Sequence, residues 1–412
     1  YSKKIREYFQ TSYYRDIILN CMPSLYNDKS FPIGSICEKQ YHTCYNIMYV
    51  LYHSNKDKYL DFFEAHIKAS SETKASVFTR LKISKATFCR LKGKDTIRKD
   101  EILTSLSKYY KITIETNSIF KELEDLVNRV YNSAYYMNFD NFSLDIKTID
   151  KRLKKSGVLS PVLKLLKLFL IVCKYNTTAI NSDVKALYEE VMFYSSFFED
   201  ELQSILSIIS LLINDKRIDG TCESNNPLYL QMLATKYARE GMYYEALYNA
   251  EMAKEAFEKE MNFRRLIVVN RTIIYSQLCL KHYQDAYDKS KYQRACVRTF
   301  SKDQYDVEIT NGYYYISMLG LKMYDKIIDC SYKVNELNKY EYICYLISLY
   351  KTDISKYNSQ IEELDDYVIS LNDKMEIVNV IEYLNTKNSS ILDNLKNMEF
   401  NKPLLMILEE VI

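Results

Sequence analysis

The chain has 412 residues, 47% of them hydrophobic, and its formal net charge of +2 excludes functions that depend on a strong overall charge. Seven glycines and five prolines are too few for sheets or glycine-rich phosphate loops, so the composition predicts an all-α protein of two or three domains. The ten cysteines lie scattered without a CxxC pair, which predicts reduced thiols and a cytoplasmic location. The longest apolar runs, 168–173 and 205–213, are too short to cross a bilayer, so no membrane partner is expected.

The first segment, residues 1–57, is rich in tyrosine and is predicted to form helices on either side of a loop, but its sequence indicates no role. Cys37, His42, Cys44 and His53 lie close together in it. Their spacing matches no standard zinc pattern, and cysteine is commonly a small buried apolar residue. The sequence therefore predicts no metal site and no cofactor.

Residues 58–115 are predicted to form short helices around a dense basic centre. Ten cations lie between Lys68 and Lys99, and the only acids in that range are Glu72 and Asp95. A solvated helix face usually mixes both signs, whereas a phosphate-binding face favours one sign because each neutralised phosphate releases counterions. The segment is therefore predicted to bind nucleic acid, the alternative being a basic helical subdomain within a larger helical array.

The stretch LKISKATFCRLKGKD, residues 81–95, lies at the centre of this basic region. Thr73 and Ser84 are suited to cap two short helices, and an Ile-Ser pair lies between those helices. Apolar residues at helical spacing form the inner face of both helices; they are Val77, Phe78, Leu81, Phe88 and Leu91. These are the ingredients of a helix-turn-helix domain over residues 58–115.

The same residues resemble the Cro/repressor-type helix-turn-helix family, with a scaffold helix, an Ile-Ser turn, a recognition helix and a basic Gly93-Lys94 turn. The resemblance implies contacts with double-stranded DNA. The implied DNA-binding residues are Lys74, Ser84, Lys85, Ala86, Thr87, Cys89, Arg90, Lys92 and Lys94. The chain departs from the family at Phe78, where a small alanine is usual, and in a turn after Arg90 that is one residue short.

From residue 118 onward, long amphipathic helices follow one another with short polar breaks. Tyr243, Tyr283 and Tyr324 recur at intervals of 40 and 41 residues, each at a predicted turn between two helices. Close packing of antiparallel helices needs small residues, which occur at Ala246, Ala250 and Ala253. Residues 116–412 are therefore predicted to form an α-solenoid of stacked helical hairpins with ligand-sensing and dimerisation roles.

The spacing from Ala234 through Tyr237, Gly241 and Tyr243 to Ala253 resembles a tetratricopeptide (TPR) repeat with lengthened helices, the alternative being a generic array of helical hairpins. A helix-turn-helix followed by such repeats resembles the RNPP/Rgg-type peptide-sensing regulators of Gram-positive bacteria. That resemblance implies a homodimeric transcription regulator of quorum sensing that binds DNA and a short signalling peptide. The family usually begins with the helix-turn-helix, whereas 57 residues precede it here.

Two asparagines occupy the same repeat position. Asn270 precedes Ala286 by 16 residues and Asn311 precedes Ile327 by the same interval, on the helix that lines the groove in TPR proteins. An asparagine can both donate to and accept from a peptide backbone, although an asparagine-rich chain could place two in register by chance. The predicted peptide-binding residues are Gln231, Tyr237, Asn270, Arg271, Ile274, Gln277, Asn311, Tyr314, Tyr315 and Met318.

Enzyme motifs are not found in the sequence. It contains no GxGxxG, P-loop, HExxH or GxSxG pattern, and its four histidines are not arranged for catalysis. We therefore expect a protein that is not an enzyme. The alternative function is a TPR-type scaffold, or a phosphatase or inhibitor of the Rap type that acts through protein contacts; such proteins need no repressor-like motif.

Overall fold

A computed structural model describes residues 56–70, 72–91, 97–114, 117–155, 157–175, 181–198, 200–213, 226–301, 303–331, 334–364, 371–398 and 401–411. Within these ranges the regular elements are helices, and the prediction of an all-α protein is confirmed. A single isolated β-bridge joins Thr113 and Gly157 in the same ranges. The N-terminal segment up to residue 55, including the four Cys and His residues considered for a metal, lies outside the described residues.

The described residues fall into two compact units, which divide between residues 232 and 233. The helices of the first unit are α1 (Lys56–Ala69), α2 (Lys74–Arg80), α3 (Lys85–Arg90), α4 (Ile97–Tyr110), α5 (Asn117–Tyr135), α6 (Phe142–Leu153), α7 (Ser160–Tyr175), α8 (Ser182–Met192) and α9 (Asp200–Ile213), with a short 3₁₀ turn at Ser195–Phe197. Helix α1 packs against α2, α4 and that turn, while α5, α6, α8 and α9 all pack around α7.

Helix α7 is the centre of the first unit because it is apolar on nearly every side. Its leucines and Phe169 are buried, which is the pattern expected of a helix surrounded by other helices. Its lysines reach the rim instead, where Lys167 Nζ lies 2.6 Å from Asp150 Oδ1 on α6 and Lys164 pairs with Glu190 on α8. Burial of α7 thus stabilises the part of the first unit that follows the basic segment.

The division between the units falls within α10 (Pro227–Glu240). The helices that follow are α11 (Tyr243–Lys259), α12 (Phe263–Cys279), α13 (Tyr283–Phe300), α14 (Gln304–Gly320), α15 (Tyr324–Cys330), α16 (Lys339–Thr352), α17 (Ile354–Glu362), α18 (Leu371–Thr386), α19 (Ser389–Asn397) and α20 (Lys402–Val411). Each helix from α11 to α16 packs against the next one in the chain. In addition α12, α14, α16 and α18 pack on one another in that order, and we call these four helices the first-helix layer.

Three turns of the second unit share one backbone geometry. The residues Gly241, Lys281 and Lys322 all have positive φ, at 83°, 61° and 59°. In each turn the following N–H donates to the carbonyl five residues earlier at 2.9 Å, which is the closing bond of a Schellman motif. The helices α11, α13 and α15 begin directly after these turns, at the tyrosines with the 40-residue period.

Two further observations concern the length of the helices and the state of the cysteines. No helix in the described part of the chain combines the length and apolarity needed to cross a membrane. Cys89, Cys173, Cys279, Cys330 and Cys344 are free thiols. Cys296 is disulfide-bonded, so the expectation of uniformly reduced cysteines is wrong at that residue.

Candidate functional site

The basic segment begins with two capped helices. Thr73 Oγ1 accepts from the N–H of Ser76 at 3.2 Å, and Ser84 Oγ accepts from the N–H of Thr87 at 3.0 Å. Both caps satisfy amide groups that the first turn of a helix leaves without partners. They fix the start of α2 and of α3 at the residues that the sequence indicates.

A left-handed residue makes the turn between α2 and α3. Lys82 has φ 54°, its N–H donates to Thr79 at 3.1 Å, and the N–H of Ile83 donates to Phe78 at 2.8 Å. This pair of bonds is a Schellman motif, which ends α2 abruptly and redirects the chain within two residues. The exposed lysine at this turn therefore has a fixed position beside α3.

The apolar side of the two helices is closed by a pair of rings. Phe78 and Phe88 are buried with their centroids 4.9 Å apart, and Val77 and Leu91 are buried beside them. The large residue at position 78 is therefore accommodated by direct contact with Phe88. The departure from a small alanine at this position does not loosen the contact between α2 and α3.

The opposite side of α3 faces solvent. Ser84, Lys85, Ala86, Cys89 and Arg90 are exposed, and Thr87 is half-buried by its own cap. Within the described residues neither Lys85 nor Arg90 has an acidic partner. Six of the nine predicted DNA-binding residues thus lie on one short helix and its cap, whereas Lys92 and Lys94 lie outside the described residues.

Some of the local positive charge is neutralised by acids. Lys74 is half-buried in an ion pair with Glu64, which the sequence reading did not anticipate because Glu64 lies on α1. Arg80 Nη1 lies 2.8 Å from Glu72 Oε1, and the buried Lys99 Nζ lies 2.6 Å from Asp57 Oδ1. Between Lys68 and Lys99, the exposed cations without an acidic partner in the described ranges are Lys68, Lys82, Lys85, Arg90 and Arg98.

Glu72 ties α2 to α4. Its Oε1 accepts from Arg80 Nη1 at 2.8 Å and from Tyr109 Oη at 2.7 Å, and Arg80 Nη1 also lies 2.7 Å from Tyr109 Oη. The hydrogen bond with Tyr109, followed by the charge of Glu72, raises the pKa of Arg80. Sequence spacing could not reveal this cluster, because Tyr109 lies 37 residues beyond Glu72.

An aromatic cluster joins α1 to the 3₁₀ turn. His66 Nδ1 lies 2.8 Å from Tyr194 Oη, and the rings of both residues stack on Phe62. The ring of Tyr110 meets His66 edge-on at 4.8 Å. Burial, followed by the charge of Lys164, lowers the pKa of His66, so the imidazole is neutral near pH 7.

The two asparagines in register make different contacts with the same helix. Asn270 Nδ2 donates to Gln293 Oε1 on α13 at 3.3 Å, while Asn311 Oδ1 accepts from Arg294 Nε on α13 at 2.8 Å. Asn270 Oδ1 is buried with no partner among the described residues. The two asparagines therefore both contact α13, but they make different hydrogen bonds there.

Several predicted peptide-binding residues are packing residues. Ile274, Tyr314, Tyr315 and Met318 are buried in one apolar core and present almost no surface to a ligand. Helical spacing placed them near the asparagines but could not show that this side of each helix faces inward. Gln231 on α10 is likewise buried.

The remaining predicted residues are half-buried: Tyr237, Arg271 and Gln277. Gln277 Oε1 has no hydrogen-bond partner within the described ranges. Arg271 Nη1 pairs with Asp306 Oδ1 at 3.0 Å, and Arg271 Cζ lies 5.4 Å from the ring centroid of the exposed Tyr305. This cluster joins α12 to α14 at the first-helix layer.

A row of tyrosines accompanies that ion pair, and the sequence reading missed it. Tyr275 lies between Tyr243 and Tyr313, with ring centroids 6.4 Å and 6.2 Å away. Burial raises the pKa of all three, so each keeps its hydroxyl proton and can donate a hydrogen bond. The sequence did contain a signal, because Tyr275 and Tyr313 are separated by nearly the repeat interval. It was not distinctive in a chain with forty tyrosines.

No protein-family model, curated protein or solved structure matches the chain. The resemblances to the Cro/repressor and TPR families therefore rest on the motif residues alone. The geometry of the described residues carries the functional argument.

Proposed function

We propose that this chain is a sequence-specific DNA-binding regulator whose helical array binds a short peptide. In this proposal α2 and α3 are the helix-turn-helix, and α3 is the recognition helix that enters the major groove. Two copies form a dimer, so that two recognition helices meet two half-sites. The TPR-like array is the sensing part, and peptide binding changes the geometry of the dimer.

One observation carries the DNA-binding proposal: α3 has one buried apolar side and one exposed side with cations but no described acidic partner. The buried Phe78–Phe88 pair and the two caps hold α3 rigidly, which a recognition helix requires because its side chains must meet base edges in register. Arg90 is suited to a bidentate contact with guanine, and Lys82 and Lys85 are suited to phosphate.

The test measures binding of the full chain to duplexes selected from a randomised DNA library, by fluorescence anisotropy across a range of salt concentrations. We expect Arg90→Ala to lose about 1–3 kcal/mol of discrimination between the selected duplex and a scrambled one. Lys85→Ala should weaken binding to both duplexes and reduce the slope of log K against log salt by about 0.9.

Lys74→Ala is the matched control, because Lys74 lies in the same segment but is already paired with Glu64. Its salt slope should change less than that of Lys85→Ala. Unchanged DNA affinity in both Arg90→Ala and Lys85→Ala would contradict the proposal and favour a protein-interaction scaffold.

The peptide-binding part is supported by the first-helix layer. TPR-like proteins hold ligands on the first helix of each hairpin, and here that layer carries Tyr275, Tyr313 and the Arg271–Asp306 pair, while Tyr243 of the tyrosine row begins α11 beside it. Tyrosine hydroxyl donors and a half-buried arginine suit a peptide backbone and a carboxylate. We assign the sensing site to the face of α12 and α14 beside the tyrosine row.

A further inference from the structure

The last described helix returns to an earlier part of its own unit. Helix α20, Lys402–Val411, follows α18 and α19 and then packs against α12 and α14. We call it the return helix. Both of its distant partners belong to the first-helix layer, the layer that carries the candidate sensing residues.

The return helix is amphipathic and buries its apolar side. Leu404 and Leu408 are fully buried, Leu405 and Ile407 nearly so, and all four belong to the same apolar core as Ile274. Glu409 and Glu410 are exposed on the other side. This is how an amphipathic helical peptide lies in a hydrophobic groove, with anchors at successive helical turns.

Charged groups hold both ends of the return helix. Lys402 Nζ lies 5.3 Å from the ring centroid of Tyr243, the first ring of the tyrosine row. At the other end Glu410 forms an ion pair with Lys281, in the turn after α12. The helix therefore has a fixed direction, with its basic end at Tyr243 and its acidic end at Lys281.

We propose that the α12–α14 face is a receptor for a short amphipathic helix, and that the return helix is its resident ligand. An external peptide with the same pattern, basic at its N-terminal end, acidic at its C-terminal end and with leucines one helical turn apart, competes for this face. The inference rests on the proposed peptide-sensing function and adds the ligand class. Sensing is then the exchange of the return helix for the external peptide. While it is bound, the return helix lowers the apparent affinity of the α12–α14 face for that peptide.

The probe is a fluorescent peptide with the sequence of residues 401–411, added to the full-length protein. We expect weak binding to the unaltered chain and binding at least about 10-fold tighter to Leu404→Ala, because that substitution weakens the resident helix. A probe that carries Leu404→Asp and Leu408→Asp should not bind. Hydrogen exchange of the α20 amides should be at least about 10-fold faster in Leu404→Ala.

The matched control is Leu166→Ala, which removes an equally buried leucine from α7 of the first unit. A second variant, Glu410→Lys, leaves the core intact and should speed α20 exchange, while Lys281→Glu added to it should restore protection. Equal probe affinity for all variants would overturn the inference. It would also be overturned if the hydrogen-exchange protection of α20 were lost on dilution, because α20 would then be supplied by a second copy of the chain. The probe assay contains no DNA and therefore tests peptide binding separately from DNA binding. Tight probe binding together with unchanged DNA affinity in Lys85→Ala would refute only the proposed DNA-binding regulator.

Discussion

Lysine and methionine occupy the left-handed position at helix ends where glycine is usual. The non-glycine residues with positive φ are Lys82, Lys111, Met137, Met261, Lys281, Lys322 and Lys387. Such a conformation costs an L-residue about 1 kcal/mol or more. Four of these residues are exposed and three, Met137, Met261 and Lys387, are half-buried. The chain has only seven glycines, and of the eight residues with positive φ in the described part of the chain, seven are not glycine.

Replacing one of these lysines should stabilise the protein. Lys322→Gly relieves the strain at φ 59° and should raise the free energy of unfolding by about 0.5–1 kcal/mol. The greater conformational entropy of glycine in the unfolded chain reduces this gain. Urea unfolding followed by circular dichroism measures the change. The control Lys291→Gly, at an exposed site within α13, should destabilise by about 1 kcal/mol. Destabilisation by both substitutions would show that the turn is not strained.

His66 should make the first unit sensitive to acid. Burial and Lys164 lower its folded pKa below 6.5, so the unfolded chain binds more protons as the pH falls through that value. Stability is therefore present above pH 6.5 and is lost as the pH falls towards the folded pKa, by about 1.4 kcal/mol for each unit of depression. His66→Gln can keep a contact with Tyr194 without ionising. Its melting temperature should fall less than that of the unaltered chain between pH 7.5 and 5.5; parallel curves would exclude the effect.

At the scale of elements, the Glu72 cluster sets the position of α2 and therefore that of α3. Tyr109→Phe removes the hydroxyl that bonds both Glu72 and Arg80 and leaves every formal charge unchanged. We expect about a fivefold loss of affinity for the selected duplex, equivalent to about 1 kcal/mol for one hydrogen bond, with an unchanged salt slope. Tyr244→Phe, at an exposed ring, is the control. A reduced salt slope in Tyr109→Phe would mean that the hydroxyl itself touches phosphate.

Local signals in the sequence predicted the elements well and their partners poorly. The caps Thr73 and Ser84 are features of one short stretch each, and the period of the turn tyrosines is a spacing along the chain, so one sequence reveals them. The pairing of Lys74 with Glu64 depends on how α1 lies against α2, which spacing within one helix does not encode. For the same reason the repeat register predicted equivalent positions for Asn270 and Asn311, but it could not show which side of each helix faces the core.

At the scale of the whole molecule, the charge is balanced overall and concentrated locally. The net charge of +2 includes a first unit that carries five exposed cations without described acidic partners around α3. Elsewhere both units pair many of their charges, as where Glu251 accepts from both Lys289 and Lys254. Burial raises the pKa of Glu251, but the two lysines outweigh burial and keep its pKa low. The assignment of DNA to the first unit follows this contrast.

The return helix also changes how the second unit should unfold. Arrays of helical hairpins usually contact only their neighbours, so their repeats can open one at a time from an end. Here Lys281 and Glu410 are joined across 129 residues, and α20 spans two hairpins. Fraying at either end must break this long-range closure. We therefore expect the unit to melt as one cooperative block and to fold more slowly than an open array of the same length, because its contact order is higher.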